Sequence, residues 1–389
     1  MIKRGSKIIM FVLTVFLAGC EFISFEEYEI PPYDGDFTWT QVTDNAQWSN
    51  RMDFPAVAYK DKLWVFGGYF SGVTKGDPYH EDVWSSADGK TWEQVQDSAP
   101  WMGRRGHTVT VFDDGTGEAM FLIGGFSVNE TTGYRQYNND VWKSTDGASW
   151  VLIKERVYPH LDSLDTFNDW FPRMNHTVVV ATHGGTKYLY LIGGSTMLES
   201  GSARYATKYF NDVWRSADGI SWENMHSEDF GIRAGHAATV DPATGTLYVQ
   251  GGNHGIIFEG EYNQSHPIRN WTWLWSSPDG VHWVTENDTA EFNQLYLNRA
   301  EHQMAFYNNT LYTFPGCTNS SMHFHFALPD YVTIWKREEG NIWSIDSNGS
   351  ETDARYSYGF VEYNHKIWIL GGDTNKNGPS NDVWYAEIK

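Results

Sequence analysis

The chain has little cysteine, little positive charge and no long apolar run in evidence, and each shortage narrows what it can be. Only Cys20 and Cys317 occur in 389 residues, so no disulfide framework is available and stability has to come from packing. Lysine and arginine total 28 against 49 acidic residues, a net charge of −21. A surface that acidic repels phosphate backbones and sets nucleic acid aside as a partner. The conspicuous apolar run, "IIMFVLTVFLAG", has twelve residues, whereas a bilayer-spanning helix needs about 20. Hydrophobic residues at 41% and charged residues at 20% are those of a folded chain with a sizeable core. Glycine and tryptophan are plentiful, and they recur in phrases.

The N-terminus reads as an export signal. "MIKRGSK" is a basic opening to the apolar run, which closes on "LAGC" (Leu17, Ala18, Gly19, Cys20). That closure resembles the lipobox of bacterial lipoproteins. The resemblance implies cleavage before Cys20, a signal peptide over 1–19 and acyl chains on the Cys20 thiol, the lipidation site. Several such chains hold a protein firmly on a membrane. Losing Lys3, Arg4 and Lys7 with the leader makes the mature chain more acidic still. With Cys20 lipidated, Cys317 has no disulfide partner. Residues 20–36, rich in acids and carrying a proline pair, read as a tether, and the domain occupies 37–389.

Six units then follow one another. Glycine pairs end at Gly68, Gly125, Gly194, Gly252 and Gly372, with a degenerate "TFPG" at Gly316, and each closes an apolar run suited to a buried strand. A loop leads to a strand ending at Trp84, Trp142, Trp214, Trp275, Trp335 or Trp384. A tight turn such as "STDG" comes next, and then Trp92, Trp150, Trp222, Trp283 or Trp343. The last unit stops one strand short, at "NDVWYAEIK", while "DFTWTQV" at 36–42 is an orphan strand carrying Trp39 in the matching place. Pairing the two closes a ring and removes an exposed edge. Glycine pairs followed by spaced aromatics resemble kelch repeats, across about residues 37–389. The resemblance implies an all-β fold, a six-bladed kelch-type β-propeller of the galactose-oxidase central-domain superfamily, with the last blade closed by an N-terminal strand.

The repetition leaves loop length free to vary on one side. Counting strands from the channel outward, the second-to-third connections (69–80, 126–138, 195–210, 253–270, 317–331, 373–380) are long, as is the blade-to-blade connection 153–172. A packed scaffold has no use for such loops, so their face is the functional candidate. Each innermost strand opens there on an arginine: Arg51, Arg104, Arg173, Arg233, Arg299 and Arg355. Three residues later stand Phe54, His107, His176, His236, His302 and Tyr358; three earlier stand Trp48, Trp101, Trp170, Phe230 and Tyr296, with Thr352 breaking the series. Two readings apply to this ring. The guanidiniums could bridge neighbouring blades, a role arginine and histidine commonly have in kelch repeats, or they could grip an anionic ligand by bidentate pairing beneath an aromatic rim. The histidines are expected to be structural. Tyr134, Tyr137, Tyr205, Tyr209 and Phe258, from the long loops, could stack on sugars or anchor a protein.

Two smaller signals are weaker. "MHFHF" places His323 and His325 on one side of an extended segment, but a third metal ligand is not identifiable and no metal is expected. "DTNKNG" at 373–378 has the opening of a calcium loop, with Trp384 where its last ligand should be, so an Asn/Gly turn is expected. Copper-radical oxidases on kelch propellers need a Cys–Tyr crosslink, and Cys317 lies beside the degenerate glycine pair. Another kelch family interconverts sialic-acid anomers with little more than a carboxylate and an arginine, though no matching motif stands out. The expected protein is therefore a non-catalytic binding propeller, lipid-anchored in the cell envelope. It would take a glycan or a protein at its channel mouth, act as a monomer and need no cofactor. A carbohydrate-active enzyme, mutarotase-like or oxidase-like, is the alternative.

Overall fold

In the computed structural model of the chain the described residues are 7–10, 26–29, 36–70, 72, 78–129, 133–158, 167–200, 204–227, 230–254, 269–270, 273–286, 299–317, 334–337, 343–347, 354–374 and 377–388. They form strands and turns, with no helix among them. Six antiparallel sheets stand in a ring as the blades of a β-propeller. From the channel outward, blade one is Ala56–Tyr59, Lys62–Tyr69, Tyr79–Ser86 and Glu93–Gln96. Blade two runs from Arg104–Arg105 and Thr108–Asp113 through Glu118–Asn129 and Tyr134–Ser144 to Val151–Lys154. Blades three, four and five open with Thr177–His183, Ala237–Val240 and Met304–Tyr307 and repeat the order.

Blade six takes three strands from the end of the chain and its fourth, Phe37–Thr43, from the beginning. That strand lies antiparallel to Gly378–Ile388, with Phe37 opposite Ile388 and Trp39 opposite Ala386. The ring closes as the orphan strand suggested. Phe37 and Trp39 are buried against Tyr307, Tyr312, Phe314 and Ile369, so closure also seals the seam between blades five and six. A separate ladder pairs Lys7–Met10 with Glu26–Glu29. Cys20 lies outside the described residues.

The repeated phrase is explained by its hydrogen bonds. In blade two, Ser144 Oγ accepts the N–H of Gly147 at 2.8 Å, and Asp146 Oδ1 accepts those of Ala148 and Ser149 at 2.9 and 2.7 Å. The Trp150 indole then donates to the Gly147 carbonyl at 2.9 Å. Gly147 has φ +74°, and a Cβ on it would lie 2.1 Å from the Trp64 ring of blade one. The turn therefore needs glycine twice over, for its left-handed backbone and for the neighbouring indole. The same bonds recur at 86–92, 216–222 and 277–283.

The core is divided. Six apolar clusters lie one at each junction between blades. The glycine pairs belong to this packing. A Cβ on Gly124 would sit 2.9 Å from the imidazole of His176 in the next blade, and one on Gly125 would sit 2.6 Å from His107 Cβ in its own. The segment 373–378, expected as an Asn/Gly turn, lies at the tip of the last hairpin, with Asp373 opposite Pro379 and Thr374 opposite Gly378; Asn375 and Lys376 lie outside the described residues.

Candidate functional site

The six ring arginines are buried. Each donates from Nη1 to a backbone carbonyl beside its own glycine pair: Gly67, Gly124, Gly193, Gly251, Phe314 and Gly371, at 2.8–3.1 Å. In four blades a carboxylate from the repeated phrase clamps the same guanidinium with both oxygens. The pairs are Arg51 with Asp82, Arg104 with Asp140, Arg173 with Asp212 and Arg355 with Asp382, at 2.5–3.0 Å. The tryptophan two residues on donates a further bond to each aspartate, as Trp142 does to Asp140 at 2.8 Å. Burial alone would raise these carboxyl pKa values, but the adjoining guanidinium and its hydrogen bonds hold all four below the ordinary range.

This geometry corrects the ligand-binding expectation for Arg51, Arg104, Arg173 and Arg355, whose donors are turned inward to Asp and to backbone. Arg233 and Arg299 are equally buried, and burial lowers them to about 9 and about 10. The aromatic rim is corrected too. Trp48, Trp101, Trp170 and Phe230 are no more than 2% exposed, each packed against the tryptophan of its own turn. Trp101 meets Trp150 edge-on with ring centres 4.6 Å apart, and Trp48 meets Trp92 at 5.9 Å. Trp170 meets Trp222 edge-on as well, and Phe230 packs at a tilt on Trp283. Tyr296 lies outside the described residues. The histidines are held neutral: burial, then the nearby guanidinium, lowers His176 and His302 to about 3 and His107 and His236 well below the usual range.

Just beyond each arginine the innermost strand reaches the channel. Two residues after each arginine stand Asp53, Gly106, Asn175, Gly235, Glu301 and Ser357, and all six have φ between +54° and +63°. The left-handed turn directs each N–H to the carbonyl of the preceding blade. Gly106 donates to Asp53 (3.0 Å), Asn175 to Gly106 (2.8 Å) and Gly235 to Asn175 (2.8 Å). Glu301 donates to Gly235 (2.6 Å), Ser357 to Glu301 (3.1 Å), and Asp53 to Ser357 (2.9 Å), closing the circle. A complete backbone hydrogen-bond ring thus forms a neck across the channel. Its side chains lean around the ring: a Cβ on Gly106 would collide with Asn175 Oδ1 at 2.3 Å, and Glu301 lies over Gly235. The neck residues, together with Pro55, Thr108, Thr177, Gln303 and Phe360, wall a cavity of ≈ 280 Å³.

Above the neck, on the long-loop face, is the mouth. Arg105 occupies a position held by Met52, Met174, Ala234, Ala300 and Tyr356 in the other blades. Its side chain is 26% exposed, and one nitrogen reaches Asp53 Oδ2 at 3.3 Å. Its guanidinium carbon lies 4.8 Å from the centre of the Tyr69 ring and 5.8 Å from that of Phe126. The aromatic wall continues from Tyr69 to Tyr79 (5.0 Å) and from Phe126 to Tyr137 (4.9 Å). On the far side Ser357 Oγ donates to Glu301 Oε2, and Tyr356 donates to Asp373 Oδ2 at 2.7 Å. Burial, and next the charge of Asp53, raise Glu301 to about 7, although Ser357 and Arg105 pull it back. The mouth therefore combines one guanidinium on a partly exposed side chain, an aromatic wall and a carboxyl poised to hold a proton near neutrality.

Sequence reasoning passed over Arg105, Asp53, Glu301 and the four clamping aspartates. The aspartates were visible inside the repeated phrase. Arg105 was visible as the one departure to a charged residue at its place in the repeat. Of the loop aromatics, Tyr137 joins the mouth's wall, Tyr209 is buried and Tyr134 is 57% exposed. Phe258, His323 and His325 lie outside the described residues, as does the side chain of Tyr205. Among the described residues no group of three or more histidine, cysteine or acidic side chains is disposed to hold a metal. Burial, and then the charge of Glu301, keep Cys317 a thiol well above its ordinary pKa.

These features define the class: a six-bladed β-propeller with a substituted, polar channel mouth. No protein-family model matches the chain. Among solved structures it is similar to one described as the structure of YjhT, at 12% identity and a TM-score of 0.55, over 88% of this chain and 95% of that one. At that identity the likeness shows the fold alone.

Proposed function

We propose that this chain is a kelch-type binding propeller, lipid-anchored outside the cytoplasm, whose long-loop mouth takes a small carboxylated sugar. The observation that carries the reading is Arg105. Its guanidinium lies within cation–π reach of two aromatic rings, has one 3.3 Å carboxylate contact and keeps part of its side chain open. A guanidinium so placed can still meet a ligand carboxylate, while the half-buried Tyr69, Tyr79 and Tyr137 offer rings to a sugar. In a chain of net charge −21 this local cation favours small anions over large ones. Titration calorimetry of the full chain with glucuronate and N-acetylneuraminate, against neutral glucose, tests it. Arg105→Met should weaken acid-sugar binding by roughly tenfold to a hundredfold, the worth of one charge-assisted hydrogen bond at about 1.5–3 kcal/mol. Equal affinity for glucose, or no change in the variant, would remove Arg105 from the site.

A second reading, a carbohydrate-active enzyme of the mutarotase kind, is favoured by Glu301 alone. A carboxyl near pKa 7 can both give and take a proton at neutral pH. Anomer exchange followed by NMR, with and without Glu301→Gln, separates catalysis from binding.

A further inference from the structure

The charges at the mouth set a condition on any acidic ligand. Arg105 is met by Asp53, so the pair contributes no net charge, and Glu301 and Asp373 stand on the opposite side of the same opening. A sugar carboxylate reaching Arg105 therefore enters a site with up to three carboxylates and one guanidinium. Like charges in a site closed off from water repel strongly, so the entering anion favours whichever neighbour can become neutral. Asp53 is engaged by Arg105 across 3.3 Å, and Asp373 accepts the Tyr356 hydroxyl. The groups facing Glu301 are Asp53, Arg105, Asp373, Ser357, Cys317, Tyr209 and Tyr356.

Glu301 is also built to carry the proton. Its Cγ methylene lies over Gly235, where a Cβ would approach it to 3.2 Å, and Ser357 Oγ donates to one of its carboxylate oxygens. Protonation of the other oxygen turns an acceptor into a donor. The residue is held there at φ +54°, a backbone conformation glutamate seldom adopts, by the hydrogen-bond circle of the neck.

We propose that the mouth takes up an acidic sugar together with one proton, and that Glu301 carries it. The inference rests on the anion-binding reading of Arg105. The balance is simple: the ligand anion and one proton from solvent enter a site whose Glu301 is ionised, and the complex holds the anion beside a neutral Glu301. Binding is then linked to pH, strong below neutrality and weakening above it, as the free site gives up the proton that the complex keeps.

The test is titration calorimetry of the full chain with glucuronate, which stays ionised throughout, from pH 5.5 to 8.5. Affinity should be level on the acid side and fall by about tenfold per pH unit above about 7. At pH 8, parallel titrations in phosphate and Tris should show uptake approaching one proton. Glu301→Gln should flatten the profile and bind more tightly than the wild type at pH 8.5. Ser357→Ala removes a bond that lowers the Glu301 pKa, so it should move the inflection to higher pH; this variant decides the matter if Glu301→Gln fails to fold. Binding with neither pH dependence nor proton uptake overturns this proposal and leaves the Arg105 reading standing. Failure of glucuronate and N-acetylneuraminate to bind at any of these pH values overturns both.

Discussion

At the mouth of the channel two sets of six residues lie side by side. In one set every blade carries arginine: Arg51, Arg104, Arg173, Arg233, Arg299 and Arg355. One and two positions further on, at Met52–Asp53, Arg105–Gly106, Met174–Asn175, Ala234–Gly235, Ala300–Glu301 and Tyr356–Ser357, no two blades carry the same pair, and the second residue of each pair lines the channel. The first set is buried against carbonyls and aspartates. The second shares a left-handed backbone and a common hydrogen-bond circle while its side chains differ. What is identical in every repeat is doing the same packing job six times. What differs is free to make one asymmetric site.

The scaffold side breaks most severely at its seam. Deleting residues 1–43 removes the fourth strand of blade six and bares the edge of Gly378–Ile388, so aggregation or loss of cooperative melting should follow. Removing only 21–33 should change melting little.

Next come the arginine clamps. Asp140→Ala strands the buried Arg104 charge and should cost about 3–5 kcal/mol in denaturant melts. Arg104→Met should cost nearly as much, because it strands Asp140.

The neck responds more mildly and in both directions. Gly106→Ala meets Asn175 at 2.3 Å with φ +60° and should cost about 1–3 kcal/mol. Glu301→Gly relaxes a left-handed residue and should be neutral or slightly stabilising.

Stability against pH checks the buried histidines. His107, His176, His236 and His302 are neutral in the fold, with pKa values below that of the unfolded chain near 6.5. The unfolded state therefore binds more protons below that pH, and the melting temperature should fall as pH drops from about 6.5. Glu301, near 7, and Asp346, near 6, are raised and act oppositely: their share of stability is present at low pH and is lost as pH rises through those values. His107→Gln should flatten the acid limb.

The fold was legible because each unit writes its turn, its glycine pair and its tryptophans in the same order, and because Trp39 sat alone in a strand with no unit of its own. The site was less legible for a physical reason. A guanidinium ring at a channel mouth suits a ligand as well as a scaffold until its partners are known, and those partners, Asp82, Asp140, Asp212 and Asp382, lie 27–39 residues downstream. Trp48, Trp101 and Trp170 were read as a rim from their place before the strand, yet their rings turn back onto Trp92, Trp150 and Trp222. Glu301 carries no motif; only the closing of the ring brings it to Ser357 and Arg105.

Arg104 and Arg105 are neighbours in sequence with opposite assignments, so measuring both against one ligand and one melt is the most direct test. Arg105→Met should lose glucuronate binding by at least about tenfold and keep stability within about 1–2 kcal/mol of the wild type, while Arg104→Met should lose several kcal/mol. Equal destabilisation of the two variants, or undiminished glucuronate binding by Arg105→Met, would contradict the division between repeated scaffold and variable site.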